Sequence, residues 1–365
     1  MYLGLDRVSS ETQDQTEDRR IADILGDPRW FPERFDPRSG TIHYVASDRN
    51  TLASQTFLDG RWDRSNAERR AVSGNTALAY LSAEKPRPNF IWHTGFCGSS
   101  LLAKALDYPG RNLSLCEPQI LADIANAKRM ATMAPGFSER IPNLVLQLLA
   151  RPFATGECVT LKPSPVANNL LREAAAFTSG PMLFLYSDCR SFLISIAKKG
   201  EEGHKYVRRM FVAMLADGHE QAQWPPGKVL SLTDLEMATV VWHMHIGEIL
   251  RHCAALGPAR AVSLDCDAFL TKPVECLRKL DAFFSLDLGV EYPAQAAAGP
   301  LFRRNAKTPE VPFDADKRRD EHSRTAQSLG PDLDRIVAQS YDLCRTTPRG
   351  MPLPDPLVAL DKTYF

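Results

Sequence analysis

The residues best suited to chemistry begin with the run His93-Thr94-Gly95-Phe96-Cys97-Gly98-Ser99-Ser100. Its two glycines permit backbone angles and close approaches that other residues resist. Ser99 and Ser100 add hydroxyl donors, and a helix-forming stretch from Leu101 onward follows at once. Unpaired N–H groups at a helix start, together with the helix dipole, attract an anion. A plainer reading gives Gly98 only a tight turn and makes Ser99 the helix cap. Downstream, Glu117 in LSLCEP precedes Pro118, which opens a helix. Its carboxylate can take a proton from a nucleophile or cap its own helix. His93 either faces the anion or is satisfied within its strand. His245, Glu248 and His252 share one helix face, but the spacing is not HExxH and a solvated face outweighs a metal site. No metal is expected. Asp265 and Asp267 flank Cys266 at a strand end, where they can cap the next helix or bond a loop or ribose.

These residues need a scaffold that brings them to one rim. Short apolar runs at 89–94, 113–116, 157–162, 181–186 and 260–264 read as buried strands. Between and after them, helices are expected at Ser99–Leu106, 118–133, 168–177, 189–199, 203–217, 233–256 and 272–284. In the 233–256 stretch, Leu235, Ala238, Trp242, Ile246, Ile249, Cys253 and Leu256 recur at steps of three and four. Alternating buried strands and helices predict an α/β fold, a three-layer parallel sheet with helices on both faces. Such sheets bind ligands beyond the carboxyl ends of their strands, where the 94–100 turn and Glu117 both stand. Residues 1–86 read as an irregular layer packed on the core, 87–290 as the core, and 291–365 as a segment wrapping back over it. Lys85-Pro86-Arg87-Pro88 marks the first boundary.

Composition narrows the partners. Lys+Arg and Asp+Glu both total 44 among 365 residues, so no global field invites nucleic acid or an anionic membrane. No apolar run approaches the roughly 20 residues needed to span a bilayer. The first twenty residues lack the apolar core of a secretory signal. The eight cysteines are scattered without a CxxC pair and read as reduced thiols of a cytoplasmic protein.

The turn lacks the lysine of G-x-x-x-x-G-K-[ST], because Ser99 and Ser100 follow Gly98 directly. ATP or GTP hydrolysis is therefore disfavoured, and the absence of G-x-G-x-x-G disfavours a nicotinamide dinucleotide. The stretch HTGFCGSSLLAKALD with LSLCEPQIL downstream resembles the P-loop-fold sulfotransferases. Weaker echoes follow in PMLFLYSDCRSFLISIAKKG and RAVSLDCDAFLTKPVECLRKLDAFFSLDL, so that the likeness covers about residues 87–290. It implies P-loop sulfotransferase topology and 3′-phosphoadenosine 5′-phosphosulfate (PAPS) as donor. By the same likeness Gly98, Ser99 and Ser100 hold the phosphosulfate, with Thr94, Gly95, Phe96, Cys97 and Leu101 beside them. Arg190 and Ser195 meet the 3′-phosphate, and Lys162 stabilises the leaving charge. Glu117 matches the catalytic glutamate of members acting on tyrosine or carbohydrate, and His93 is a further catalytic candidate.

The chain departs from the family pattern at Phe96 and Ser187, where a cation is expected, and at Ser164, where cytosolic members carry a histidine base. Arg303, Arg304 and Lys307 fall where members fold a basic loop over the nucleotide. The implied reaction moves a sulfuryl group to a hydroxyl or amine of a small-molecule, carbohydrate or peptide acceptor. Beyond the acceptor, the partner expected is at most a second copy of the chain in a homodimer. Two other readings stay open: a P-loop phosphotransferase (kinase), and a non-catalytic sulfotransferase-like binding protein.

Overall fold

The computed structural model describes residues 18–304, 310, 315–344 and 353–359. Lys307 and the segment before residue 18 lie outside them. Three strands, β1 (Trp30–Asp36), β2 (Thr41–Ala46) and β3 (Arg69–Ser73), form an antiparallel sheet in that order. The N-terminal layer expected to be irregular is thus a regular meander. Its pattern is hidden because Pro32 lies inside β1, where the pairing with β2 slips one place before Arg34. Phe31, Phe35, Ile42, Tyr44 and Val72 point into the core, and Glu33 is buried with them, paired with Arg64.

The main sheet contains β4 (Asn89–His93), β5 (Asn112–Cys116), β6 (Cys158–Lys162), β7 (Met182–Tyr186) and β8 (Ala261–Asp265). All pairs are parallel, in the order β5-β6-β4-β7-β8. Side-chain alternation makes it a middle layer. Phe90, Trp92, Met182, Phe184 and Tyr186 belong to one apolar cluster; Ile91, Leu183, Leu185 and Leu264 belong to the other. The helices flanking the first four strands are α1 (Ser99–Leu106), α2 (Gln119–Arg129), α3 (Phe137–Leu149), α4 (Leu171–Phe177), α5 (Cys189–Lys198), α6 (Glu201–Ala216) and α7 (Asp234–Leu256). After β8 come α8 (Cys266–Thr271), α9 (Pro273–Phe284), α10 (Ala315–Leu329) and α11 (Pro331–Leu343). Helices α1, α8 and α9 cover one face; α2 to α7, with the N-terminal sheet, cover the other. The expected α/β architecture is present. Helix α3 escaped the sequence reading because Pro142 interrupts its pattern.

The central strand positions the site. From β4 the chain moves outward to β5 and β6, then crosses to β7 and β8, so the connection reverses beside β4. β4 and β6 pair only through Asn89–Thr160 and Phe90–Leu161, and their carboxyl ends part. At the far edge, Ser263 N–H donates to Asp355 O (3.0 Å) and Leu357 N–H donates to Ser263 O (2.8 Å). The 353–359 segment thereby covers an otherwise open strand edge.

Candidate active site

The turn between β4 and α1 is tethered on several sides. Thr94 N–H donates to Leu185 O (3.3 Å), and the Cys97 thiol donates to the same carbonyl (3.4 Å). Gly95 and Gly98 take left-handed angles, φ 86° and 77°, which glycine adopts without a side-chain penalty. Phe96 takes φ 55° with a full side chain, a conformation held by edge contacts of its ring with Phe192 and Tyr206. Gly98 is the residue preceding α1, and no side chain caps the helix start. The alternative in which Ser99 serves as the cap is not what the chain adopts. Ser99 and Ser100 are both buried, and Ser100 Oγ has no hydrogen-bond partner. An uncapped helix start with an unpartnered buried hydroxyl fits an anion.

The carboxyl ends of β5 and β6 bring Glu117 and Lys162 together. Lys162 Nζ donates to Glu117 Oε1 at 2.6 Å, and Glu117 N–H donates to Lys162 O at 2.7 Å. Lys162 is wholly buried. Glu117 also takes a left-handed conformation, φ 54°, where a non-glycine residue is strained. The N-terminal layer supports it from both sides: Leu58 N–H donates to Cys116 O (2.8 Å) and Gln119 N–H to Leu58 O (2.9 Å). From the same layer Arg61, stacked 3.5 Å over the Phe57 ring, reaches Glu117 Oε2 at 3.5 Å. Tyr206 closes the group from α6. A Cβ on Gly95 would lie 2.9 Å from its hydroxyl, which is buried and has no partner. Burial, then the nearby Glu117 and Cys97, hold the phenol's pKa above its usual value, so Tyr206 is a donor at neutral pH.

Other candidates stand elsewhere. His93 is buried with both ring nitrogens used: Nδ1 accepts from Gly95 N–H (3.1 Å) and Nε2 meets Pro163 O at 3.1 Å. That pattern makes it a neutral tautomer with its proton on Nε2. Both contacts tie the His93 ring to the backbone around the loop. Thr94 Oγ1 turns to Gly95 O (3.3 Å), and Leu101 packs into the apolar cluster behind the helix. Arg190 is half-exposed and paired with Asp334 of α11 (2.8 Å). Ser195 lies under α10, 3.5 Å from His322 Nε2. The partners of Arg190 and Ser195 thus come from α11 and α10, while Phe192 of the same helix meets the loop at Phe96. Asp265 caps α8 through Asp267 N–H and Ala268 N–H. His245 is not on a solvated face: it is buried against Asn168, and burial pushes its pKa down to about 3.

Arg61 and Tyr206 were not foreseen. Each is remote in sequence from the turn, and neither belongs to a periodic or spaced motif that could have singled it out.

No protein-family model matches the sequence, and no curated protein matches it. Among solved structures, the sulfotransferase domain from the curacin biosynthetic pathway has a TM-score of 0.41 and 15% identity, covering 70% of this chain and 98% of its own. The sulfotransferase domain from the Synechococcus PCC 7002 olefin synthase has a TM-score of 0.42 and 13% identity, covering 72% and 96%. A sulfotransferase from Mycobacterium avium has a TM-score of 0.37 and 13% identity, covering 70% and 82%. At these values the likeness carries no weight for the chemistry, which rests on the residues of this chain. Among the described residues no helix is long and apolar enough to cross a membrane.

Proposed function

We propose that the protein transfers a sulfuryl group from PAPS to a hydroxyl or amine of a small-molecule, carbohydrate or peptide acceptor. The observation that carries this reading is the uncapped start of α1, with its unpartnered Ser100 hydroxyl, on the same rim as the Glu117–Lys162 pair. When bound, PAPS supplies an activated sulfuryl group. Gly98, Ser99 and Ser100 would hold its phosphosulfate through backbone N–H groups and hydroxyls. Tyr206 adds a neutral donor next to Gly95, where Phe96 leaves the loop without a cation.

Glu117 would take the acceptor's proton, aligned by Lys162 on one oxygen and Arg61 near the other. Lys162 and Arg61 would also place positive charge where negative charge accumulates in the transition state. Ser195 would meet the 3′-phosphate, and Arg190 would join it by leaving Asp334.

Titration of adenosine 3′,5′-bisphosphate against ATP in a thermal-shift assay tests the donor site. At about 1 mM, the bisphosphate is expected to raise Tm by several degrees, with ATP giving little and Ser100→Ala reducing the effect. Equal shifts from both nucleotides, or none from the bisphosphate, would overturn the assignment.

A further inference from the structure

The two halves of the carboxyl rim differ in what covers them. Strand order puts β5 and β6, with Glu117 and Lys162, on one side of the β4 loop and β7 and β8 on the other. Over the β7–β8 half lies the first half of α10. Arg318 pairs with Asp267 of α8, Glu321 with Lys198 of α5, and His322 Nε2 lies 3.5 Å from Ser195 Oγ. Asp267 follows Cys266, whose Sγ would lie 3.6 Å from a Cβ on Gly98. The covered surface therefore adjoins the loop, and it includes the Ser195 that the donor reading gives to the 3′-phosphate.

Helices α10 and α11 are held in different ways. Among the described residues, Arg318 is the one buried side chain in the first two turns of α10. Its Nη2 is buried without a partner, so the docked position leaves a donor unsatisfied. Apolar packing on the core enters toward the other end of α10, at Ala326 and Leu329. In α11, by contrast, Leu333 and Ile336 are buried in the core, and the Tyr341 ring meets Trp242 and His243 of α7 edge-on. Gly330 joins the two helices at φ 61°, ψ −153°, angles that a side chain resists. A helix docked by polar ties at one end, jointed by glycine at the other, can lift while its neighbour stays in place.

We propose that α10 is an autoinhibitory lid hinged at Gly330, which competes with the donor for the Ser195 face of α5. The donor binds the form in which the first half of α10 has lifted, so its apparent affinity is reduced by the fraction of molecules in that form. The competition rests on the sulfuryl-transfer reading; the hinge does not.

Hydrogen exchange and calorimetry on the full-length protein test the lid. Amides of residues 319–324 should exchange faster than those of 335–341. Saturating adenosine 3′,5′-bisphosphate should speed exchange at 319–324 while slowing it in α1, the reverse of simple protection by a ligand. Arg318→Ala and Asp267→Asn break one tie by removing opposite charges. Each should speed exchange at 319–324 and tighten bisphosphate binding about fivefold. A direct electrostatic contact with the nucleotide would instead move the two variants in opposite directions. Opposite or absent changes in affinity, or exchange at 319–324 no faster than at 335–341, would overturn the lid. No bisphosphate binding by any form would overturn the donor reading and the competition with it, and the exchange comparison with α11 would then judge the hinge alone.

Discussion

Lys162, wholly buried at the end of β6, donates to Glu117 at 2.6 Å across the carboxyl rim of the sheet. Both residues come from strand ends that adjoin in the order β5-β6, and Cys116 pairs directly with Lys162 in the ladder. The pair joins a proton acceptor and a cation that the sequence had placed in separate roles. Arg61 on the other carboxylate oxygen makes the N-terminal layer part of the same site.

Removing one partner leaves the other charge buried alone. Glu117→Gln and Lys162→Met are each expected to cost about 3 kcal/mol of stability, the scale for breaking a buried pair. The double variant should cost less than the sum, by more than 1 kcal/mol or thereabouts, in a urea double-mutant cycle. Additive losses would show that the two charges do not depend on one another.

The loop glycines should respond differently to a methyl group. At Gly98 the added Cβ meets Cys266 Sγ at 3.6 Å, an ordinary contact, so the cost of Gly98→Ala is the left-handed backbone, about 1–2 kcal/mol. At Gly95 the Cβ lies 2.9 Å from the Tyr206 hydroxyl, so Gly95→Ala should destabilise more. Tyr206→Phe should restore part of that excess in thermal unfolding, and a Tyr206→Phe background without rescue would rule the contact out as the cause.

Stability should fall as pH drops below the unfolded histidine range. Burial pushes the pKa of His243 down to about 4 and that of His245 to about 3. The unfolded chain therefore binds protons first, and each histidine removes up to about 1.4 kcal/mol per pH unit between roughly pH 6.5 and its folded value. The contribution is fully present above pH 6.5 or so and declines toward about pH 4 for His243 and about pH 3 for His245. His245→Phe should flatten the slope of unfolding free energy against pH over that window; an unchanged slope would remove His245 from the account.

Helix α10 is tied to the core by a mostly buried pair, Arg318 with Asp267, and an exposed one, Lys198 with Glu321. Arg318→Ala removes the mostly buried tie between α10 and Asp267, and should speed protease cleavage around α10 at unchanged core stability. Lys198→Ala, at the exposed pair, should change cleavage little. Equal cleavage rates for the Arg318 variant and the unmodified protein would contradict this ranking.

By itself the sequence determined the strand–helix alternation of the core, because buried parallel strands and amphipathic helices leave local patterns of apolar residues. It also determined the anion-suited turn at 94–100, since glycine and serine spacing is a local property of the chain. It marked Glu117 and Lys162 as strand-end residues but assigned them separate tasks. Only the tertiary structure decided that they form one ion pair, because strand order is set by long-range pairing between segments 45 residues apart. The same holds for Arg61 and Tyr206, delivered by an N-terminal turn and a helix whose local patterns carry no mark of the rim they reach. His93 shows the opposite limit. Its position at a strand end suggested chemistry, and only the parting of β4 from β6 gives its ring two backbone partners.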